Sequence, residues 1–173
     1  DQSHLDLAQF QTDFWTKVPD SAAPLNTSVR MENFHFQPTS EQEKAIETLS
    51  EFLLSHTSEE IFILRGYAGT GKTSLVGALV KTMDALKQKS ILMAPTGRAA
   101  KVFSLYAGHS AFTIHKKIYR QKTFSNEQTN FSLNDNLYQH TLFIVDEASM
   151  IANDGLSGSV FGTGRLLDDL IQY

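Results

Sequence analysis

Apolar residues along this chain gather in two ways. Short uninterrupted runs, Ile61-Phe62-Ile63-Leu64, Ser90-Ile91-Leu92-Met93-Ala94 and Leu142-Phe143-Ile144-Val145, have the length and residue types of buried parallel strands. Elsewhere the apolar positions recur at helical spacing. Leu75, Leu79, Met83 and Leu86 form one such face, and Ala45, Ile46, Leu49, Phe52 and Leu53 another. Pro95 and Gly97 break the second strand into a loop, and a helix is expected to begin near Ala99. Leu166 to Ile171 reads as a helix, and Leu7, Phe10 and Phe14, with Trp15 beside them, read as a short amphipathic one.

Between the first run and its helix stands Gly66-Tyr67-Ala68-Gly69-Thr70-Gly71-Lys72-Thr73, followed by Ser74. Glycine-rich segments also serve as plain turns. Strand before and helix after are the context that converts this one into a phosphate-binding loop. Gly66, Gly69 and Gly71 let the backbone turn tightly and bring N–H groups, those of Ala68, Thr70 and Ser74 included, to a polyphosphate. The helix starting near Gly71 turns its positive end to the same anion. Lys72 supplies a mobile charge for the β- and γ-phosphates, and the Thr73 hydroxyl is suited to Mg²⁺. ATP and Mg²⁺ are the cofactors expected.

The third strand runs directly into Asp146 and Glu147, and open α/β sheets place ligands at the carboxyl ends of their strands. A hard cation takes oxygen ligands, which suits Asp146 to Mg²⁺. Glu147 is suited to orient or deprotonate an attacking water. Two carboxylates at a strand end are otherwise a solvated terminus or the cap of the next helix. Upstream, Pro38 ends an extended stretch and Thr39 or Ser40 begins a helix. Gln42 then has two readings: it closes a capping box with Thr39, or its amide reads the complementary edge of adenine.

Gln42, the loop Gly66 to Thr73, the run Ala94-Pro95-Thr96-Gly97-Arg98-Ala99-Ala100-Lys101 and Val145-Asp146-Glu147-Ala148-Ser149 follow the order of motifs in superfamily 1 helicases. Their wording resembles most the RecD-like branch, which moves 5′ to 3′ on single-stranded DNA. Thr113-Ile114-His115-Lys116 is similar to a short DNA-side motif of that family. The resemblance covers about residues 36 to 152, and Ala94 to Lys101 is its most specific part. It implies an α/β fold: a three-layer P-loop NTPase, RecA-like, with a mostly parallel central sheet. It also implies a motor fuelled by MgATP, with Lys72 and Glu147 at the catalytic centre and single-stranded DNA as the track. The DNA-side candidates are Thr96, Gly97, Arg98, Lys101, Thr113 and His115. Thr96 and the adjacent backbone N–H groups suit a phosphate, which fixes position without reading sequence. Arg98 and Lys101 read equally as a solvated helix face, and His115 as a packed or capping histidine.

Nineteen acidic against fifteen basic residues give a formal charge of −4 and a pI near 5.8. That is no basic footprint, although a motor that releases its track each cycle can rely on backbone donors, hydroxyls and stacking. There are no cysteines, which excludes disulfides and thiolate metal sites. No apolar run approaches the length of a bilayer crossing, so no membrane partner is expected; a cytoplasmic monomer is the default expectation. Residues 1–35 are expected to pack on a first RecA-like domain spanning 36–173. Residues 120–140 turn polar, with Phe124, Phe131 and Tyr138 scattered through them. This stretch is either a hairpin-like excursion, a reduced form of the wedge subdomain that RecD-like helicases insert here, or a surface loop.

The resemblance also implies pieces that do not follow by Tyr173: a strand with Gly-Asp-x-x-Gln and a second RecA-like domain carrying arginines for the transferring phosphoryl group. The expectation is therefore the first part of a helicase motor, incomplete at its C-terminal end and partnered by that missing domain, with little hydrolysis of its own. Two other functions stay open, a P-loop ATPase that is no helicase and a non-catalytic nucleotide-binding regulatory module.

Overall fold

The computed structural model describes residues 38–54, 61–121, 131–153 and 160–173. The amphipathic helix read near the N-terminus lies outside them. Two compact units divide the chain, one through Lys87 and one from Gln88.

In the first unit, helix α1 (Ser40–Leu54) buries Ala45, Ile46 and Leu49, three members of the expected apolar face. Ser50 lies on the same buried side and returns its hydroxyl proton to the Ile46 carbonyl at 2.8 Å, so its burial leaves no donor unsatisfied. Helix α2 (Lys72–Ala85) buries Leu75, Leu79 and Met83, with Ala78 and Val80 beside them. The run before the loop departs from the sequence reading. Residues 61–64 belong to no strand among the described residues, and Ile61 and Ile63 are 64% and 61% exposed. Phe62 is half-buried, its ring 5.5 Å from Phe52 of α1. An apolar run reports extended backbone and at least one covered face; it cannot report that a neighbouring strand completes the ladder.

The second unit is built on a three-stranded parallel sheet. Strand β1 (Lys89–Ala94) is central, with β2 (Ala111–Thr113) on one side and β5 (Thr141–Val145) on the other. Both β1 pairings are parallel, with Met93 opposite Phe112 in β2 and Val145 in β5. Covered from both sides, β1 hides Ile91, Leu92, Met93 and Ala94. Helix α3 (Gly97–Ala107) makes the crossover from β1 to β2 and buries Ala100, Phe103 and Ala107, one helical stripe. It stops at Gly108, whose φ of 71° lets its N–H return to the Ser104 carbonyl at 3.1 Å. Complete burial of Phe103 contributes about 2–3 kcal/mol to this packing.

After β2 come helix α4 (Ile114–Ile118) and strands β3 (Tyr119–Gln121) and β4 (Phe131–Leu133), which pair antiparallel with Arg120 opposite Ser132. Apart from Tyr119, these two strands stand within the segment 120–140, read as a hairpin-like excursion or a surface loop; residues 122–130 lie outside the described residues. Ile91, Met93, Ile114, Ile118 and Tyr119 form a buried cluster, against which Phe143, Phe161, Leu166 and Leu170 pack. Helix α5 (Leu166–Gln172) follows the sequence reading. Sequence reading missed what α5 carries inward: Asp169, 1% exposed. Its carboxylate accepts the Tyr119 hydroxyl at 2.5 Å, the Thr163 N–H at 3.0 Å and the Thr163 hydroxyl at 2.9 Å. A buried carboxylate is tolerable when its lone pairs are filled in this way. Burial and the Asp169 carboxylate together push the Tyr119 phenol well above its ordinary range.

Candidate functional site

The glycine loop has the backbone that its glycines permit. Gly69 and Gly71 take φ values of 80° and 87°, in the left-handed region. Gly71 also stands where the N-cap of α2 would be, and no side chain caps that helix. An uncapped N-terminus leaves main-chain donors facing outward, the arrangement that receives an anion. Lys72 folds back over the loop, its ammonium donating to the carbonyls of Gly66 at 2.6 Å and Tyr67 at 2.7 Å. An ammonium has three N–H groups, so one remains for a ligand. Thr73 and Ser74, the next two positions, are exposed, as are Gly66 and Ala68. Thr70 braces the loop from within, its hydroxyl donating to the Tyr67 carbonyl at 2.9 Å. These features fit a nucleoside polyphosphate.

Gln42 joins α1 to this loop. Its Oε1 accepts the Thr39 N–H at 3.0 Å while its own N–H reaches the Thr39 hydroxyl at 3.2 Å, a reciprocal capping box. Its Nε2 donates to the Thr70 carbonyl at 3.0 Å. The two sequence readings of Gln42 are therefore not exclusive. A primary amide has two donor hydrogens and two acceptor lone pairs, so capping and bracing leave one of each, the pair that an adenine edge needs.

In the second unit, the carboxyl edge of the sheet gathers the remaining motifs. Strand order reverses at β1, with β2 and β5 to either side, and such reversals are where open parallel sheets receive ligands. Thr96 follows β1, Thr113 ends β2, and Asp146 and Glu147 follow β5. Asp146 extends the β5 ladder by one bond, its N–H donating to the Met93 carbonyl at 3.0 Å. Its Oδ1 accepts the Glu147 N–H at 2.9 Å, and its Oδ2 accepts the Tyr106 hydroxyl. Glu147 takes φ 53° and ψ 35°, a conformation that costs a non-glycine residue about 1 kcal/mol or more. Its side chain is exposed and has no hydrogen-bond partner among the described residues.

The DNA-side candidates divide by what they do in the fold. The Thr96 hydroxyl caps α3 by accepting the Ala99 N–H at 3.2 Å, and Thr113 caps α4 through Lys116 N–H at the same distance. Gly97, Arg98 and Lys101 are exposed, and neither cation has an ion-pair partner among the described residues. A Cβ built on Gly97 meets nothing within 4 Å, so packing does not demand a glycine there. His115 is packed: its ring lies edge-on to Phe161 at 4.9 Å and tilted against Tyr119 at 5.7 Å. Burial lowers its pKa from 6.5. Sequence reading missed Tyr106. The available signal was its place three residues beyond Phe103 on the apolar side of α3, where the two rings stack at 5.2 Å.

No helix among the described residues is long and apolar enough to cross a membrane. Among known proteins, the chain is 27% identical to an uncharacterized protein of Methanocaldococcus jannaschii, over 86% of this chain and 14% of that protein. The chain thus spans about one seventh of that relative's length. No solved structure gives a significant match. The family model described as AAA domain matches residues 37–158, the stretch that holds Gln42, the glycine loop and Asp146-Glu147. With that match across most of its length, and with the loop and carboxylates placed as above, the chain belongs to the AAA domain family, P-loop NTPases that include superfamily 1 helicase-like members.

Proposed function

We propose that this chain is the nucleotide-binding part of a superfamily 1, RecD-like DNA helicase motor, which binds MgATP and single-stranded DNA and couples hydrolysis to 5′ to 3′ movement. The observation that carries the reading is the carboxyl edge of the sheet. There the Ala94-to-Lys101 run opens α3 with a capped, exposed turn, and on the other side of the strand-order reversal Asp146 and Glu147 leave β5. Arg98 and Lys101, exposed in the first turns of that helix, are placed to add charge to a phosphate contact there.

Roles follow residue by residue. Lys72 and the loop N–H groups neutralise the β- and γ-phosphates, and Gln42 meets adenine with its remaining donor and acceptor. Thr73 and Asp146 are the residues to hold Mg²⁺, which supplies charge neutralisation at the phosphate oxygens when bound. Glu147 positions the water. Thr96 already accepts the Ala99 N–H, so its contact to a DNA phosphate uses the hydroxyl hydrogen, with Arg98 and Lys101 adding charge. His115 contributes by packing. A second motor domain from the longer protein completes the catalytic centre.

Steady-state MgATP hydrolysis, with and without single-stranded DNA and with Lys72→Ala as control, tests the reading. Turnover that rises with DNA and disappears in the variant is expected from the longer parent protein, with a weak version from this chain. Turnover indifferent to DNA in the longer protein would leave an ATPase and remove the motor. Nucleotide binding without turnover in that protein would identify a regulatory module.

A further inference from the structure

We infer that Tyr106 is a positioning residue for the metal-holding carboxylate of Asp146, an inference that rests on the reading of Asp146 given above. Asp146 is fixed at three points. Its main-chain N–H is on the Met93 carbonyl at 3.0 Å, Oδ1 is on the Glu147 N–H at 2.9 Å, and Oδ2 takes the Tyr106 hydroxyl. A carboxylate offers about four lone-pair directions. With one on each oxygen filled, the plane of the group is set and the two that remain have defined directions.

The Glu147 N–H comes from the next residue and travels with Asp146. Tyr106 is the contact that ties the carboxylate to another element. Its hydroxyl is also well placed for that task. Tyr106 stacks on Phe103 at 5.2 Å with 29° between the rings, and Phe103 is fully buried in the stripe of α3. A tyrosine has only two side-chain torsions that place its ring, so a ring held by the core delivers its oxygen to a nearly fixed point. The hydrogen bond orients a carboxylate that would otherwise rotate about its Cβ–Cγ bond. Groups that orient a metal's ligands in this way commonly change metal affinity 10- to 100-fold when removed.

The experiment uses this chain and a fluorescent N-methylanthraniloyl ATP, titrated first in EDTA and then across a series of MgCl₂ concentrations. Tyr106→Phe keeps the ring and its stacking and removes only the hydroxyl. Its affinity in EDTA should stay within twofold of the unaltered chain, while the Mg²⁺ concentration giving half of the magnesium-dependent binding should rise about tenfold. Asp146→Asn should raise it likewise, and the double variant no further than Asp146→Asn alone. A Tyr106→Phe requirement for Mg²⁺ within twofold of normal, beside a shifted Asp146→Asn, overturns the inference. So does an equal loss of affinity with and without Mg²⁺, which marks Tyr106 as a packing residue. Failure of the underlying reading looks different: the unaltered chain binds no more nucleotide than Lys72→Ala, or Asp146→Asn has a normal Mg²⁺ requirement. Either result removes both.

Discussion

A methyl group at Gly71 would displace the Gln42 amide. The added Cβ would stand 2.3 Å from Gln42 Nε2, on a backbone whose φ is +87°. Gly69 has a similar φ of +80° but open space around it. The pair separates two costs that sequence cannot. Gly69→Ala adds backbone strain of about 1–2 kcal/mol. Gly71→Ala adds the same strain and also drives the Gln42 amide off the Thr70 carbonyl. Nucleotide affinity, read by titration of a fluorescent ATP analogue, should fall about tenfold in Gly69→Ala and at least several-fold further in Gly71→Ala. Equal losses would mean that the Gln42 brace does not matter to binding. At this scale the glycine loop, and the strand that leads into two carboxylates, were legible because both are written in residue type and spacing. Asp169 was not legible. It sits beside Asp168 in an ordinary helical sequence, and only packing decides that Asp169 is buried on Tyr119 and Thr163 while Asp168 pairs with Arg165 at 3.0 Å.

Among the elements, α3 shows how one residue can serve the fold and the proposed site together. Thr96 is the N-cap of α3, and its loss should be felt first in stability. Thr96→Ala should cost about 1 kcal/mol, measured as a lowered urea midpoint, and Thr113→Ala at the head of α4 a similar amount. A Thr96→Ser variant keeps the capping oxygen and should restore the midpoint. If serine fails to restore it, the capping account is wrong. Motif resemblance offers these threonines as DNA-side candidates; it reports which residue is present and not which hydrogen bonds it already makes. The run 61–64 shows the opposite gap. Its residues favour extended backbone, yet Ile61 and Ile63 are exposed and the segment joins no ladder among the described residues. Pairing depends on a neighbour elsewhere in the chain, which no local pattern contains.

For the whole molecule, the aromatic group around half-buried His115 makes stability depend on pH. Burial among Phe161 and Tyr119 lowers the folded-state pKa of His115 below its ordinary 6.5. The unfolded chain therefore binds the proton first as pH falls, so this contribution is present above about pH 6.5 and is lost progressively below it. Urea midpoints measured from pH 7.5 down to pH 5 should decline, and His115→Phe should flatten part of that decline. Parallel curves for the two proteins would refute the assignment. The α/β class, the phosphate loop with its helix, the capping helix at Ser40 and the carboxylates after a strand were all determined by the sequence alone. Each is a local property, fixed by side-chain periodicity or by the few residue types that can perform a given chemistry. Tertiary structure alone decided that Gln42 braces the loop, that Tyr106 holds Asp146 and that Asp169 is buried. Those facts join positions tens of residues apart or choose among partners that the sequence offers equally, and only the folded chain brings them within hydrogen-bonding distance.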